Sequence, residues 1–164
     1  SEGFWPGNKV FFVAHRADER IFQPAIFGGH EQAFVELDSG RALRDILKYC
    51  KLTTKDVFFT NIFRCVLFDD AVVREEGYMC CETNLERDVR RKRPEAMVSL
   101  GEQAFRTMFP SVKYDGFLKQ IGNVHTYNGT PTLVMHHLSK VQRLPKPGNF
   151  EIIKQFLRQY KVIS

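Results

Sequence analysis

The feature that most restricts this chain is its alternation of short apolar runs with longer amphipathic stretches. Lys9-Val10-Phe11-Phe12-Val13-Ala14 is a brief apolar run between polar neighbours, the pattern of a strand covered on both faces. Val57-Phe58-Phe59-Thr60-Asn61-Ile62 repeats it with aromatic and β-branched residues, and Ala96-Met97-Val98-Ser99-Leu100 is a third instance. Elsewhere the apolar residues take helical spacing. A helix is predicted from Gly40 to Cys50, with Ser39 as its N-cap and Leu43, Ile46 and Leu47 as its stripe. Another is predicted from Arg74 to Arg93, where Pro94 stops it. Gly101 turns the third strand into a helix carrying Ala104, Phe105 and Met108, and a last helix from Phe150 to Tyr160 presents Ile152, Ile153, Phe156 and Leu157. Val124 to Tyr127 and Thr132 to Met135 flank Asn128-Gly129, a pair that supplies the positive φ angles of a tight hairpin turn.

This alternation predicts an α/β class, with a short, mainly parallel central sheet between helical layers. The chain's 164 residues, 43% of them hydrophobic, are enough for one core, so a single domain over residues 1–164 is expected. In such sheets ligands bind outside the carboxyl ends of the strands. Those ends are Ala14-His15, Thr60-Asn61, Leu100-Gly101 and His136-His137, so a histidine, an asparagine, a glycine turn and a histidine pair should converge on one polar site. The polar segment that follows the first strand, through Gly28-Gly29-His30, is long for a connection in a compact domain, and such loops are functional or mobile.

Charge and cysteine content narrow the partners. A net charge of +5 and a pI near 9.1 suit a polyanion. Arg87, Arg90, Arg91, Lys92 and Arg93 read as the solvated end of a helix, its cations facing the negative end of the dipole. Lys140, Arg143 and Lys146 form a second basic run just after the histidine pair. No stretch reaches the roughly 18 apolar residues of a membrane span, so no membrane association is expected. Ser1-Glu2-Gly3-Phe4 lacks the features of a secretory leader. With Cys50, Cys65, Cys80 and Cys81 as free thiols, a reducing cytoplasmic or nuclear location is expected, not a secreted one. No CxxC or zinc-finger spacing occurs, so neither metal nor cofactor is expected.

Several segments, in order, resemble the uracil-DNA glycosylase superfamily, and in particular its family-four, iron–sulfur branch. Thr60-Asn61-Ile62-Phe63-Arg64-Cys65 resembles that branch's "TN-two apolar-KC" segment, and Ser99-Leu100-Gly101-Glu102-Gln103-Ala104 its "LG-two-A" strand-to-helix turn. Val124 to Gly129, then Val134-Met135-His136-His137-Leu138-Ser139, resembles the closing hairpin and "HPS" loop, with Arg143 at the arginine that follows. Phe34-Val35 with Ser39-Gly40 is similar to the segment before the first helix. The resemblance implies a three-layer α/β/α fold and a monomeric, monofunctional DNA glycosylase, acting on single- or double-stranded DNA with the target base flipped out.

It also implies roles. Asn61 would hold the pyrimidine edge, since an amide offers both a donor and an acceptor. Phe34 would stack on the base, with Phe27 competing for that role, and His136 would lie beside it. His137 would stabilise negative charge on the departing base. Arg64, Ser139, Lys140 and Arg143 would meet DNA.

Three departures stand out. Ala14-His15-Arg16-Ala17-Asp18 replaces the family's "GE-x-PG", so water activation falls to Asp18, its neighbour Glu19, or His15 itself. His15 and Phe34 are nineteen positions apart, several more than the family uses, which suggests a larger pocket mouth and a base bulkier than uracil. Leu138 stands where the loop has proline. Cys65 and Cys81, sixteen positions apart, match the two later cluster ligands, but the upstream pair is absent and four thiolates are needed, so no cluster is expected. The loss of the first-motif acid also supports a second reading: a catalytically inactive DNA-binding domain of the same fold, within a larger replication, repair or phage protein.

Overall fold

The computed structural model describes residues 7–16, 38–63, 85–138, 140 and 146–164. Strand β1 (Val10–Arg16) leads to helix α1 (Asp38–Tyr49) and strand β2 (Val57–Phe63). Helical residues 85–92 (α2) precede β3 (Ala96–Leu100), which passes directly into α3 (Glu102–Met108). A 3₁₀ turn at Phe117–Lys119 leads to the hairpin of β4 (Val124–Tyr127) and β5 (Thr130–Met135), and α4 (Lys146–Gln159) follows. The sheet order is β2-β1-β3-β5-β4, parallel except for the β4–β5 pair. This is the expected α/β architecture.

The period-two alternation of side chains splits the core into two layers. Val10, Phe12, Val57, Phe59, Val98, Leu100 and Met135 pack beneath α1 and α4, against Leu43, Ile46, Ile153 and Leu157. Phe11, Val13, Phe58, Ile62, Met97 and Val134 face the other way, onto Leu85, Val89, Ala104 and Phe105. Strands buried on both faces are nearly continuous in apolar residues, which is why residues 10–14 and β3 read as they do, the Ser99 hydroxyl of β3 being satisfied by the Leu133 carbonyl at 3.2 Å. Phe105 is fully buried, its ring 5.2 Å from that of Tyr114 and 5.8 Å from that of Phe109. Such pairs add about 0.5–1.5 kcal/mol each beyond the area they bury.

The element boundaries differ from the sequence reading in instructive ways. Helix α1 begins at Asp38, so Ser39 sits within its first turn instead of capping it, and the helix closes at Tyr49 with Cys50 in the turn beyond. The buried stripe is indifferent to a shift of one or two residues at an end, so it does not set the start. Helix α4 begins at Lys146, four residues before the predicted start at Phe150, because Pro147 lacks only an N–H that the first helical turn leaves unpaired. Residues 85–92 are helical and Arg93 turns to φ 49° before Pro94, as expected of that terminus, while the span from Arg74 to Asn84 lies outside the described residues. Arg87, Arg90, Arg91 and Arg93 are exposed there, and Arg90 pairs with Glu86 at 3.5 Å. The hairpin turn forms at Asn128 (φ 46°) and Gly129 (φ 82°). Among the described residues no helix is long and apolar enough to cross a membrane.

Candidate functional site

The chain runs outward from β1 to β2 on one side, then returns to place β3 on the other. The sheet's order therefore reverses beside β1, the position at which open α/β sheets bind ligands outside the carboxyl ends of their strands. Registry brings four strands level at that end: Asn61 pairs with Ala14, Ala14 with Leu100, and Leu100 with Met135. The next positions along β1, β3 and β5 are His15, Gly101 and His136, one neighbouring row on the sheet. Adjacent strands are about 4.8 Å apart, so the His15 and His136 backbones are separated by roughly 10 Å with the glycine between them.

Gly101 makes this junction possible. Its N–H donates to the Met135 carbonyl at 2.9 Å, continuing the β3–β5 ladder past the strand end, and its own carbonyl accepts from the Phe105 N–H at 3.1 Å. Its backbone sits at φ 96°, ψ 164°, a region open essentially to glycine alone. A Cβ added there would lie 3.3 Å from the His137 Cβ and 3.5 Å from its Cα. The glycine turn thus lies flat against the His137 backbone.

His137 is held on its other side too. The Lys140 N–H donates to the His137 carbonyl at 2.9 Å, closing a turn. Leu138, the residue in place of a proline, is only 2% exposed and belongs to the core layer beneath α1 and α4. The turn that a pyrrolidine ring would stiffen is anchored here by a buried side chain. An isolated leucine within the polar His136-His137-Leu138-Ser139-Lys140 stretch was the sequence signal for this anchor. The contact between Gly101 and His137 had no signal in the sequence.

The two imidazoles differ in exposure yet share an electrostatic tendency. His136 is buried, and desolvation, reinforced by the Lys140 ammonium, holds its pKa below the ordinary histidine value. The His137 side chain remains exposed, and the protein around it still withdraws enough water to lower its pKa. Both rings are therefore neutral at pH 7. A histidine with a lowered folded-state pKa leaves more protons on the unfolded chain, so acid favours unfolding. Stability should be level above the ordinary histidine value of about 6.5 and fall as pH drops below it, with a slope of up to about 1.4 kcal/mol per pH unit for His136. Denaturant melts between pH 5 and 8 check this, and His136→Gln should remove the part of the slope that His136 supplies.

His15 lies at the carboxyl end of β1, as expected, although the apolar run itself ends at Ala14. The strand continues through Arg16, because β2 runs on beside it and pairs Phe63 with Arg16. His15 is half-buried within the strand, and alternation sets it on the side of Phe11 and Val13. Asn61 is placed by its backbone on β2, and its side chain lies outside the described ones. Lys140 is exposed beside the histidine pair. Asp18, Phe27, Phe34, Arg64, Ser139 and Arg143 lie outside the described residues, as do Cys65 and Cys81. Among the described residues no group of three or more His, Cys, Asp or Glu side chains could hold a metal ion.

The family model described as "Uracil DNA glycosylase superfamily" matches residues 12–161. No curated protein sequence matches the chain.

Proposed function

The chain belongs to the uracil DNA glycosylase superfamily, and from that premise we propose that it hydrolyses the N-glycosidic bond of a base flipped out of DNA, leaving an abasic site. The observation that carries the reading is the exposed His137 at the carboxyl end of the sheet, its backbone set between the Gly101 turn and the Leu138 anchor, and desolvation that lowers its pKa supports it. Extruding a base costs a few kcal/mol, and the proposed site repays this with contacts to the base. Asn61 hydrogen-bonds the exposed pyrimidine edge, and Phe34 or Phe27 stacks on its face, a contact worth roughly 1–3 kcal/mol.

As the bond from C1′ to the base nitrogen lengthens, its electron pair leaves with the base and negative charge grows on the base O2. A neutral imidazole N–H from His137 aimed at that oxygen stabilises the charge as it develops. Water then bonds to C1′ and gives up its proton to Asp18 or His15. The long segment between His15 and Phe34 suits a modified pyrimidine bulkier than uracil. Lys140, Arg143, Arg64 and Ser139 hold the flanking phosphates and strand.

A panel of oligonucleotides carrying different modified bases, scored for abasic sites under single-turnover conditions, tests this. Release of one base at a rate well above background supports it. Absence of any product across the panel, with DNA binding intact, would favour the inactive binding domain, which the His15 substitution in the first motif also suits. The DNA contacts have their own check: Lys140→Ala and Arg143→Ala should each weaken duplex binding and lower the salt slope by about 0.9. Unchanged slopes would make the second basic run a solvated surface.

A further inference from the structure

At the opposite end of the sheet from His137 is a cleft of about 670 Å³ where the first strand begins and helices α1 and α4 end. Its lining includes Lys9, Lys51, Lys154, Arg158 and Lys161, set against one carboxylate, Asp56. We propose that this cleft binds a compact polyphosphate, either an inorganic chain or the phosphates of a nucleotide.

Charge is the first support. Asp56 is already occupied, accepting from the Thr53 N–H at 3.0 Å and the Thr53 hydroxyl at 3.1 Å. Glu151, the nearby acid on α4, accepts from the Tyr49 hydroxyl and from the Gln155 amide at 2.6 Å, and its charge offsets part of that of Lys154 and Arg158. Cys50 in the lining adds no negative charge, since burial pushes its thiol up to about 11 despite the opposing pull of Lys154 and Arg158. Helix carboxyl ends attract cations, but each carries only about half a negative charge. Two such ends and the carboxylates of Asp56 and Glu151 leave roughly two of the five positive charges uncompensated, so complementing the helix dipoles does not account for the whole cluster.

Backbone geometry is the second support. Lys51 and Lys161 follow α1 and α4 in the left-handed conformation, at φ 57° and φ 58°. Both close the same type of helix end: the Leu52 N–H reaches back to the Leu47 carbonyl, and the Val162 N–H to the Leu157 carbonyl, each at 2.9 Å. Glycine is the usual residue there because it adopts that conformation without strain. The chain instead places a lysine at both positions, and both line the same cleft. The volume lies within the roughly 300–1,000 Å³ of small-molecule sites. A concave cleft admits a short phosphate chain more readily than the backbone of a duplex. Arg158 also donates to the Ser164 backbone oxygen at 3.2 Å, which steadies its guanidinium at the rim.

The glycine preference supplies a variant that does not endanger folding. Lys51→Gly with Lys161→Gly removes two cations while relieving two strained backbones, so the protein should melt no lower than the parent. Inorganic tripolyphosphate and ATP should each raise the melting temperature of the parent beyond what sodium sulfate does at equal ionic strength. They should also shift the amide signals of Lys51, Leu52, Lys161 and Val162. The double variant should bind at least about tenfold more weakly, since hydrogen bonds to charged groups are being lost. Equal affinity for the two probes, or tighter binding of ATP, both support the proposal. No stabilisation beyond that of sulfate would overturn it, as would affinity unchanged in the double variant or shifts confined to His136 and His137. The cleft and the base-excision site occupy opposite ends of the sheet, so either reading can fail without the other.

Discussion

Replacing His137 with alanine is expected to slow base release by about 10²–10³-fold under single-turnover conditions, the usual cost of losing one donor to a developing oxyanion. Affinity for the substrate duplex should change little, because the contact strengthens mainly in the transition state. The parent's rate should also fall on acidification, through a pKa below the ordinary histidine value, since desolvation keeps His137 neutral and the proposed donor is the neutral ring. Asp18→Asn should cost less, because an oxocarbenium-like centre needs little help from its nucleophile. Single-turnover rates on the base identified by the oligonucleotide panel, measured from pH 5 to 8, check all of this. A His137→Ala protein as fast as the parent would remove His137 from the mechanism while leaving the family membership intact.

Gly101→Ala should damage both stability and activity, and a second glycine allows the two to be separated. At φ 96° and ψ 164° an alanine is strained by about 1–3 kcal/mol, which in a chain of this size lowers the melting temperature by roughly 3–10 °C. Its Cβ would also meet the His137 Cβ at 3.3 Å, closer than most real contacts, so the histidine backbone must yield by a few tenths of an ångström. Catalytic geometry is unforgiving, a displacement of about 1 Å costing roughly 10²-fold, so a rate loss of about tenfold is expected from this smaller shift. Gly129→Ala is the matched control. It too has a positive φ, 82°, but a Cβ there meets nothing within 4 Å, and the hairpin turn is away from the site. It should lower the melting temperature and leave base release unchanged. Equal rates in the two variants would mean that Gly101 acts only through stability.

Much of the fold was legible in the residues because burial on both faces leaves no freedom of composition. The runs Val10–Ala14 and Ala96–Leu100 could be little else than central parallel strands, and the Leu43, Ile46, Leu47 stripe could only face a sheet. Asn128-Gly129 declared its turn through backbone chemistry alone. The placing of polar residues at strand ends, on which the proposed site rests, followed from the same alternation. The residue roles rested on resemblance, and many of them fall on segments outside the described residues.

What sequence could not supply were relations between distant backbones. The β1 strand extends through His15 because β2 continues beside it, and nothing local to Ala14-His15-Arg16 encodes that partner. Leu138 looked like the loss of a stiffening proline until the core layer beneath α1 and α4 claimed its side chain. Gly101 could be read as a turn, but not as the surface against which His137 rests. The lysines that end α1 and α4 are 110 positions apart, and only the packing of those helices brings Lys51 and Lys161 to one cleft. Apolar periodicity reports which residues leave water, a property each segment carries by itself. Which segments then meet is settled by the registry of strands and the packing of helices, and both the Gly101–His137 contact and the basic cleft arise at that level.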